Sequence, residues 1–560
     1  MRVSVKLLGL ALAFVPTARS ADFTFTRVAD NAGAISTFSV PSINNDGVVV
    51  FGARLDAGGL AIYTGTGDGV LTTIADTTLG TYFEFLAPTI NDAGRVAFTA
   101  TTSESSLAKP IADTGVFTIA NGMLTTIADN APGRPYYDFG SIPQSINASG
   151  TVAFYGKLRT GDGSASFSNG IFTGSGGAQT TIVNPSAGFG QISEGTSINA
   201  GGTVVFAATR SPSGKRGVFT GMDSVSTTVA DVDGEFSNFG NVPSINDAGT
   251  VAFRADLDAG GSAIYTGGIS ALTPIVATAD GAFTALEDPA INADAAIAFT
   301  ATLPGNIRGI FVGADSAADK VIAVGDPIFD STLTNFFFQR GLNANGEIAF
   351  RYNTSDGVIG IAVASPTTLT RAIGGGRSYA GVRLRIGEGT ANVASLRGGV
   401  AGGDRSLDLS HAAGGSFAIN GARPVGNALI LSGTASDTFV LELTYTDADL
   451  EAADVTSEEG LILYWRDPVG GNFKNSVLGN QPASARAFLG SSYAQYLVAQ
   501  AGVFTLGDYG NDPTTNTVWA VLNHNSVFTV APVPEPTALG GSLAALAALA
   551  LRCRRRTGLV

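Results

Sequence analysis

A motif reading Asn-x-x-Gly-x-x-(Ala/Val)-Phe recurs seven times along this chain of 560 residues, starting at Asn44, Asn91, Asn147, Asn199, Asn246, Asn292 and Asn343. Successive copies lie 46 to 56 residues apart. A period of that size marks a repeat architecture, in which a unit too small to bury its own apolar face stacks on its neighbours. It constrains the fold more than any other feature of the sequence.

The stretch from Pro243 to Asp280 shows one unit most clearly. Ser244-Ile245 ends a short strand, Asn246-Asp247-Ala248-Gly249 turns, and Thr250 to Ala255 alternates as the next strand. Asn and Gly tolerate positive φ, so this spacing between two apolar runs reads as a hairpin turn. Asp258 to Gly261 bends the chain into Ala263–Gly267, and Leu272–Ala277 completes four short strands. The third strand returns as Gly115-Val116-Phe117, Gly170-Ile171-Phe172, Gly217-Val218-Phe219 and Gly309-Ile310-Phe311. Four antiparallel strands per unit of about 47 residues is the pattern of a propeller blade, so the expected fold is all-β: a seven-bladed β-propeller over residues 21–373. An open β-solenoid is the alternative. The sixth copy has Ala295 in place of Gly, which predicts a strained turn or a turn of another type.

How the circle closes is open at this level. Phe23 to Asp30 reads as an isolated fourth strand that can complete the last blade, but Thr367 to Ile373 can serve as that blade's own fourth strand. From Gly374 to Val530 the Asn motif is absent. Alternating segments such as Val382–Ile386 and Phe439–Leu443 predict a β-sandwich-like domain over 374–530. Both tryptophans, Trp465 and Trp519, sit in apolar strands there and read as core anchors.

The two ends carry addresses. Residues 1–20 have the layout of a signal peptide: basic Arg2 and Lys6, the apolar run Leu7–Val15, and Ala18 and Ser20 as small residues before a cut at Ala21. Signal peptidase is the partner this predicts. At the other end, 531–560 holds Val533-Pro534-Glu535-Pro536, an apolar helix-forming run from Thr537 to Leu551, and an Arg-Cys-Arg-Arg-Arg cluster. Fifteen apolar residues make a short transmembrane anchor helix, with the arginines on the cytoplasmic side. The tail resembles the PEP-CTERM sorting signal of Gram-negative bacteria. That resemblance implies an exosortase as processing partner at Val533 to Pro536 and delivery to the cell surface or extracellular matrix. Together with the tail, residues 22–364 resemble a bacterial family of surface proteins named for the tandem Asn-x-x-Gly-x-x-Ala-Phe repeat with a choice of anchors. The family implies no enzymatic activity. The segment Leu506-Gly507-Asp508-Tyr509-Gly510 is similar to one in the distal domains of other sorted surface proteins.

Charge narrows the partners. Against 46 acidic residues the chain has 32 basic ones, seven of them in the two terminal segments. An acidic body of this kind does not neutralise phosphates, which argues against nucleic acid and anionic lipid surfaces. The single cysteine, Cys553, lies in the tail, so the body can form no disulfide.

The chain carries few residues suited to catalysis or metal binding. His411 and His524 are the only histidines, too far apart in sequence for metal-ligand spacing, and each reads as a polar loop or turn residue. Asp231 to Glu235 and Asp447 to Asp449 are short of a Ca²⁺-loop ligand series and read as turn acids, so no cofactor is expected. Ser244 to Gly249 superficially resembles the sialidase Asp-box, but its Asp and Gly fall one place late and no Trp follows. No catalytic residue is assigned. The reading is an exported, non-enzymatic protein that binds extracellular polysaccharide or surface proteins through loops such as Thr101–Thr114 and Leu158–Asn169. A polysaccharide hydrolase or lyase with carboxylates in the propeller channel is the second reading, and a structural spacer the third.

Overall fold

The computed structural model describes residues 23–533, apart from 103–112, 160–166, 185–187, 270, 367, 374–383, 389–391, 399–404, 413–418, 420–422, 435–436, 459, 470, 482–486 and 490–504. Both terminal segments, with Ser20, Ala21 and Pro534 to Pro536, lie outside the described residues, as does most of the loops 101–114 and 158–169.

The described chain is nearly all β. Each of the seven Asn motifs belongs to its own antiparallel sheet of four or five strands. In the fifth repeat the first position is split into Phe236–Phe239 and Ser244–Ile245, both pairing with Val251–Leu257, followed by Ser262–Gly268 and Ala271–Ala277. The Asn246 turn joins the two halves of that pairing: Gly249 N–H donates to Asn246 O at 2.9 Å and Asn246 N–H to Thr250 O at 3.0 Å.

The motif phenylalanines pack between sheets. Phe98 of the second repeat is fully buried with Val50, Ile62 and Ala75 of the first, and Phe154 of the third meets Ala97, Val116 and Ile127 of the second. Burying one such side chain contributes roughly 1.5–3 kcal/mol. Because the apolar faces are shared between neighbours, a single repeat would leave them in water.

The closure is decided by the first strand. Phe23–Asp30 pairs antiparallel with Ile359–Pro366, from Phe23 opposite Pro366 to Asp30 opposite Gly360. It lies beside the last strand of the seventh sheet, and Val28 packs into a cluster that joins Val49 and Phe51 of the first repeat to Ile361 and Val363 of the seventh. Thr368–Ile373 pairs instead with Arg405–Ala412. The repeat region therefore ends near Pro366 and not at 373, because the N-terminal strand already occupies the sheet edge that 368–373 would have needed.

From Thr368 to Pro532 two six-stranded sheets share one core. Leu429 and Phe528 of one sheet pack with Phe439 and Leu441 of the other. Trp519 is fully buried, and Trp465 lies half-buried against the same core. The two histidines are not simple loop residues. The backbone of His411 lies in strand Arg405–Ala412. The His524 ring stacks edge-on against Trp465, with centroids 4.7 Å apart, and its Nε2 is 2.9 Å from Ser476 O. Burial lowers its pKa, so the neutral ring is the favoured form and its Nε2–H donates.

Candidate functional site

The asparagines that mark the repeat meet on one axis. The Nδ2 amide of Asn44 donates to Asn91 O, Asn91 to Asn147 O, and Asn147 to Asn199 O, at 3.3, 2.9 and 3.1 Å. Asn199, Asn246 and Asn292 continue the series at 3.3, 3.1 and 3.0 Å, and Asn343 donates back to Asn44 O at 2.9 Å. Each Oδ1 also accepts from the backbone N–H four residues on: Val48 N–H donates to Asn44 Oδ1 and Thr250 N–H to Asn246 Oδ1, both at 2.9 Å. One side chain thus holds its own turn and hooks the next. All seven are buried, and together they form an unbroken ring of hydrogen bonds.

Glycine meets a specific demand at the fourth position of the motif, where φ is positive, +73° at Gly94 and +82° at Gly249. Ala295 adopts the same conformation at φ +62°, and its N–H donates to Asn292 O at 3.0 Å like the glycines'. The sixth turn is therefore of the common type, with the strain borne by the alanine.

Inside the ring lies a cavity of about 190 Å³. The residue before each asparagine (Ile43, Ile90 and Ile245 among them) makes an apolar wall, and the residue after each contributes a rim. At three of the seven junctions a rim side chain caps the neighbouring turn. Asp92 Oδ1 accepts Asn45 N–H at 2.9 Å, Asp247 Oδ1 accepts Ala200 N–H at 2.7 Å, and Asn45 Oδ1 accepts Ala344 N–H at 2.7 Å. Burial raises the pKa of the Asp92 carboxyl, the nearby charges of Asp46 and Asp247 adding to it, while its bonds to Asn45 oppose the rise.

Further along the same inward-leading segments stands a second polar group. Asp288 Oδ2 accepts the N–H groups of Asn241 and Val242 at 3.1 and 3.0 Å, and burial raises its pKa. Arg340, three residues before Asn343, reaches from the seventh repeat to Pro143 O of the third at 3.5 Å. Three or four places separate these repeats around the ring of seven, so the side chain crosses the axis. Its Nε and Nη2 are shielded from solvent with no hydrogen-bond partner, and burial brings its pKa down to about 10, the charge of Asp288 opposing the fall.

In the sequence alone the asparagines read as turn formers, and the variable loops between strands read as the binding surface. The structure brings the shared residues to the axis around the cavity. The signal was present in the invariance of the asparagine, since a turn alone accepts Asp or Ser as well. The acids weighed for Ca²⁺ are employed elsewhere: Asp233 pairs with Lys215, Glu235 accepts the Tyr265 hydroxyl at 3.0 Å, and Asp447 and Asp449 open a short helix capped by Thr446. Among the described residues no group of three or more His, Cys, Asp or Glu is placed to hold a metal ion.

Fold and site define an all-β repeat protein whose ring is closed by its own first strand and by seven asparagines. The chain belongs to a family of unknown function, DUF7453, whose model matches residues 24–369. No curated protein matches its sequence. Among solved structures it is similar to prolyl endopeptidases, with 10% identity over 67% of this chain and 54% of theirs and a TM-score of 0.41. It is also similar to the acylaminoacyl peptidase of Pyrococcus horikoshii, with 10% identity over 68% of this chain and 59% of that one and a TM-score of 0.40. The chain thus spans little more than half the length of these peptidases. A six-bladed β-propeller lectin of Aleuria aurantia matches at 10% identity over 51% of this chain and 98% of the lectin, with a TM-score of 0.30.

Proposed function

We propose that the seven sheets are the blades of a closed seven-bladed β-propeller, exported and displayed on the cell surface or in the extracellular matrix, which binds polysaccharide or protein partners and is not an enzyme. The observation that carries this reading is the asparagine ring with its cavity. A rigid concave site on the axis of a closed scaffold is suited to holding a ligand. Rim carboxylates Asp92 and Asp247 each hold a neighbouring turn, which favours recognition over proton transfer. The export half of the proposal rests on the terminal segments: the signal peptide at 1–20, and the sorting tail at 531–560 with its Pro534-Glu535-Pro536 motif and apolar helix, read by an exosortase. Among the described residues no helix is long and apolar enough to cross a membrane, and the tail is not among them.

A hydrolase or lyase reading has one observation in its favour, the raised pKa of Asp92 at the cavity rim. The mature chain screened on an array of neutral and acidic glycans tests the binding reading, which predicts retention of at least one class. Silence across the array, together with turnover of any polysaccharide, would replace it with the enzymatic one. For export, P534A with E535A should leave the protein in the membrane of an exosortase-bearing host, and unchanged release would remove the sorting claim.

A further inference from the structure

At three junctions of the ring, as described, a rim side chain caps the N–H of the preceding repeat's rim residue. The other four junctions have alanine at the capping position: Ala148, Ala200, Ala293 and Ala344. The N–H groups they face belong to Asp92, Ala148, Asp247 and Ala293, and no described side chain caps them. The turns repeat one geometry, so each of these four N–H groups points to the space that an Asn or Asp side chain fills elsewhere, which here is the cavity. The donors fall on two arcs, at repeats two and three and at repeats five and six. Asp247 brings a further feature, because only its Oδ1 is used in capping and its Oδ2 is left to accept.

We infer that the cavity takes one neutral, hydroxyl-rich sugar ring, its oxygens accepting from the uncapped N–H groups of Asp92, Ala148, Asp247 and Ala293 and one hydroxyl donating to Asp247. The inference rests on the binding reading above and names its ligand. A hydroxyl is the group that both accepts from an amide and donates to a carboxylate. An anionic sugar would meet Asp92 and Asp247 at the rim, and a bare cation would meet four amide donors. The isoleucine wall offers an apolar surface to the C–H face of a ring. At about 190 Å³ the cavity is smaller than the roughly 300–1,000 Å³ typical of drug-sized ligands, which limits the guest to about one ring.

The capped junctions supply the test. Ala148 and Ala200 are both exposed. In A148N/A200N the new amide oxygens should cap the Asp92 and Ala148 N–H groups as Asn45 caps Ala344, without adding charge. The full mature chain and the double variant are titrated by calorimetry with the methyl glycosides of glucose, galactose and mannose and with glucuronate, and both are run on the glycan array. The expected result is binding of a neutral glycoside by the wild type, none of glucuronate, and a loss of about tenfold or more in the variant at an unchanged or higher Tm, as two donor bonds are withdrawn. Equal binding by wild type and variant, or a preference for glucuronate, overturns the cavity assignment while the binding reading stands. Array silence by the wild type defeats both. If A148N/A200N does not fold, A293N, which caps the Asp247 N–H alone, is measured instead. Affinity unchanged in a folded A293N counts against the inference in the same way.

Discussion

The side-chain amide of Asn343 donates to the carbonyl oxygen of Asn44 at 2.9 Å, across 299 residues of chain. This bond closes a series whose other six members each join a repeat to the next, so the ring is fastened at its seam by the same device that spaces its units. The seam is fastened a second time at the outer edge, where Phe23–Asp30 joins the seventh sheet.

Asn343→Ala should be costly. The Oδ1 accepts the N–H groups of Asn345 and Glu347 at 3.0 and 2.9 Å, and the Nδ2 serves Asn44 O and Glu347 Oε2. Leaving several buried partners unmet costs about 1–3 kcal/mol each before relaxation, so a net loss of about 2–4 kcal/mol in urea unfolding is expected. Asn343→Asp, which turns a donor into an oxygen facing two acceptors, should cost at least as much. A milder effect for Asp than for Ala would mean that the donor half of the amide contributes little.

Ala295→Gly should stabilise the chain. An alanine at φ +62° bears a penalty of roughly 1–2 kcal/mol, and the added freedom of glycine in the unfolded chain returns about 0.4–1 kcal/mol. The expected gain is about 0.5–1 kcal/mol by chemical denaturation. The mirror experiment is Gly249→Ala, where φ is +82° and an added Cβ meets nothing within 4 Å, so only the backbone conformation is tested. It should lose a similar amount.

Val28→Asp should open the seam. Val28 is 4% exposed and joins the clasping strand to the first and seventh repeats. An unpaired carboxylate there costs several kcal/mol. Limited proteolysis should then cut first near the N-terminus, and the unfolding transition should broaden as ring closure is lost. A sharp transition with only a lowered midpoint would show that the asparagine ring suffices for closure.

His524 should give the C-terminal domain a pH dependence. Burial places its folded pKa below the ordinary histidine value of about 6.5. The unfolded chain therefore binds the proton more readily, so stability is fully present above pH 6.5 and declines as the pH falls from there towards the folded pKa. In His524→Gln this component of the slope should disappear, seen as a smaller drop in Tm between pH 7.5 and pH 5.5. An unchanged slope would assign the dependence to carboxylates.

Arg340→Met should be destabilising. The guanidinium is shielded with its Nε and Nη2 unpartnered, but its charge offsets the buried Asp288 carboxyl, and replacing it alone leaves that carboxyl less compensated. Unchanged or higher stability by chemical denaturation would show that the desolvation cost of the guanidinium outweighs its attraction to Asp288 and its bond to Pro143 O.

Much of the fold is written in local chemistry. Asn246 to Gly249 predicts its turn because few residues tolerate the backbone it needs, and the alternation of Val251 to Ala255 predicts a strand with one face buried. Seven copies of that pattern predict seven like units, and the strands of the C-terminal region follow from the same alternation. Three matters were settled only by packing. Phe23–Asp30 and Thr368–Ile373 are both plausible edge strands, and which of them completes the seventh sheet depends on contacts more than 300 residues apart. His524 has the composition of a turn but is drawn against Trp465 by the core beneath it. The asparagine of each motif has a second hydrogen-bonding group whose partner lies one repeat away, and local sequence shows the donor without showing the carbonyl that receives it. The repeat was determined by the sequence because turns and strands are decided within a few residues. The ring, its cavity and the four uncapped amides were decided by tertiary structure, because they exist only where seven distant turns converge on one axis.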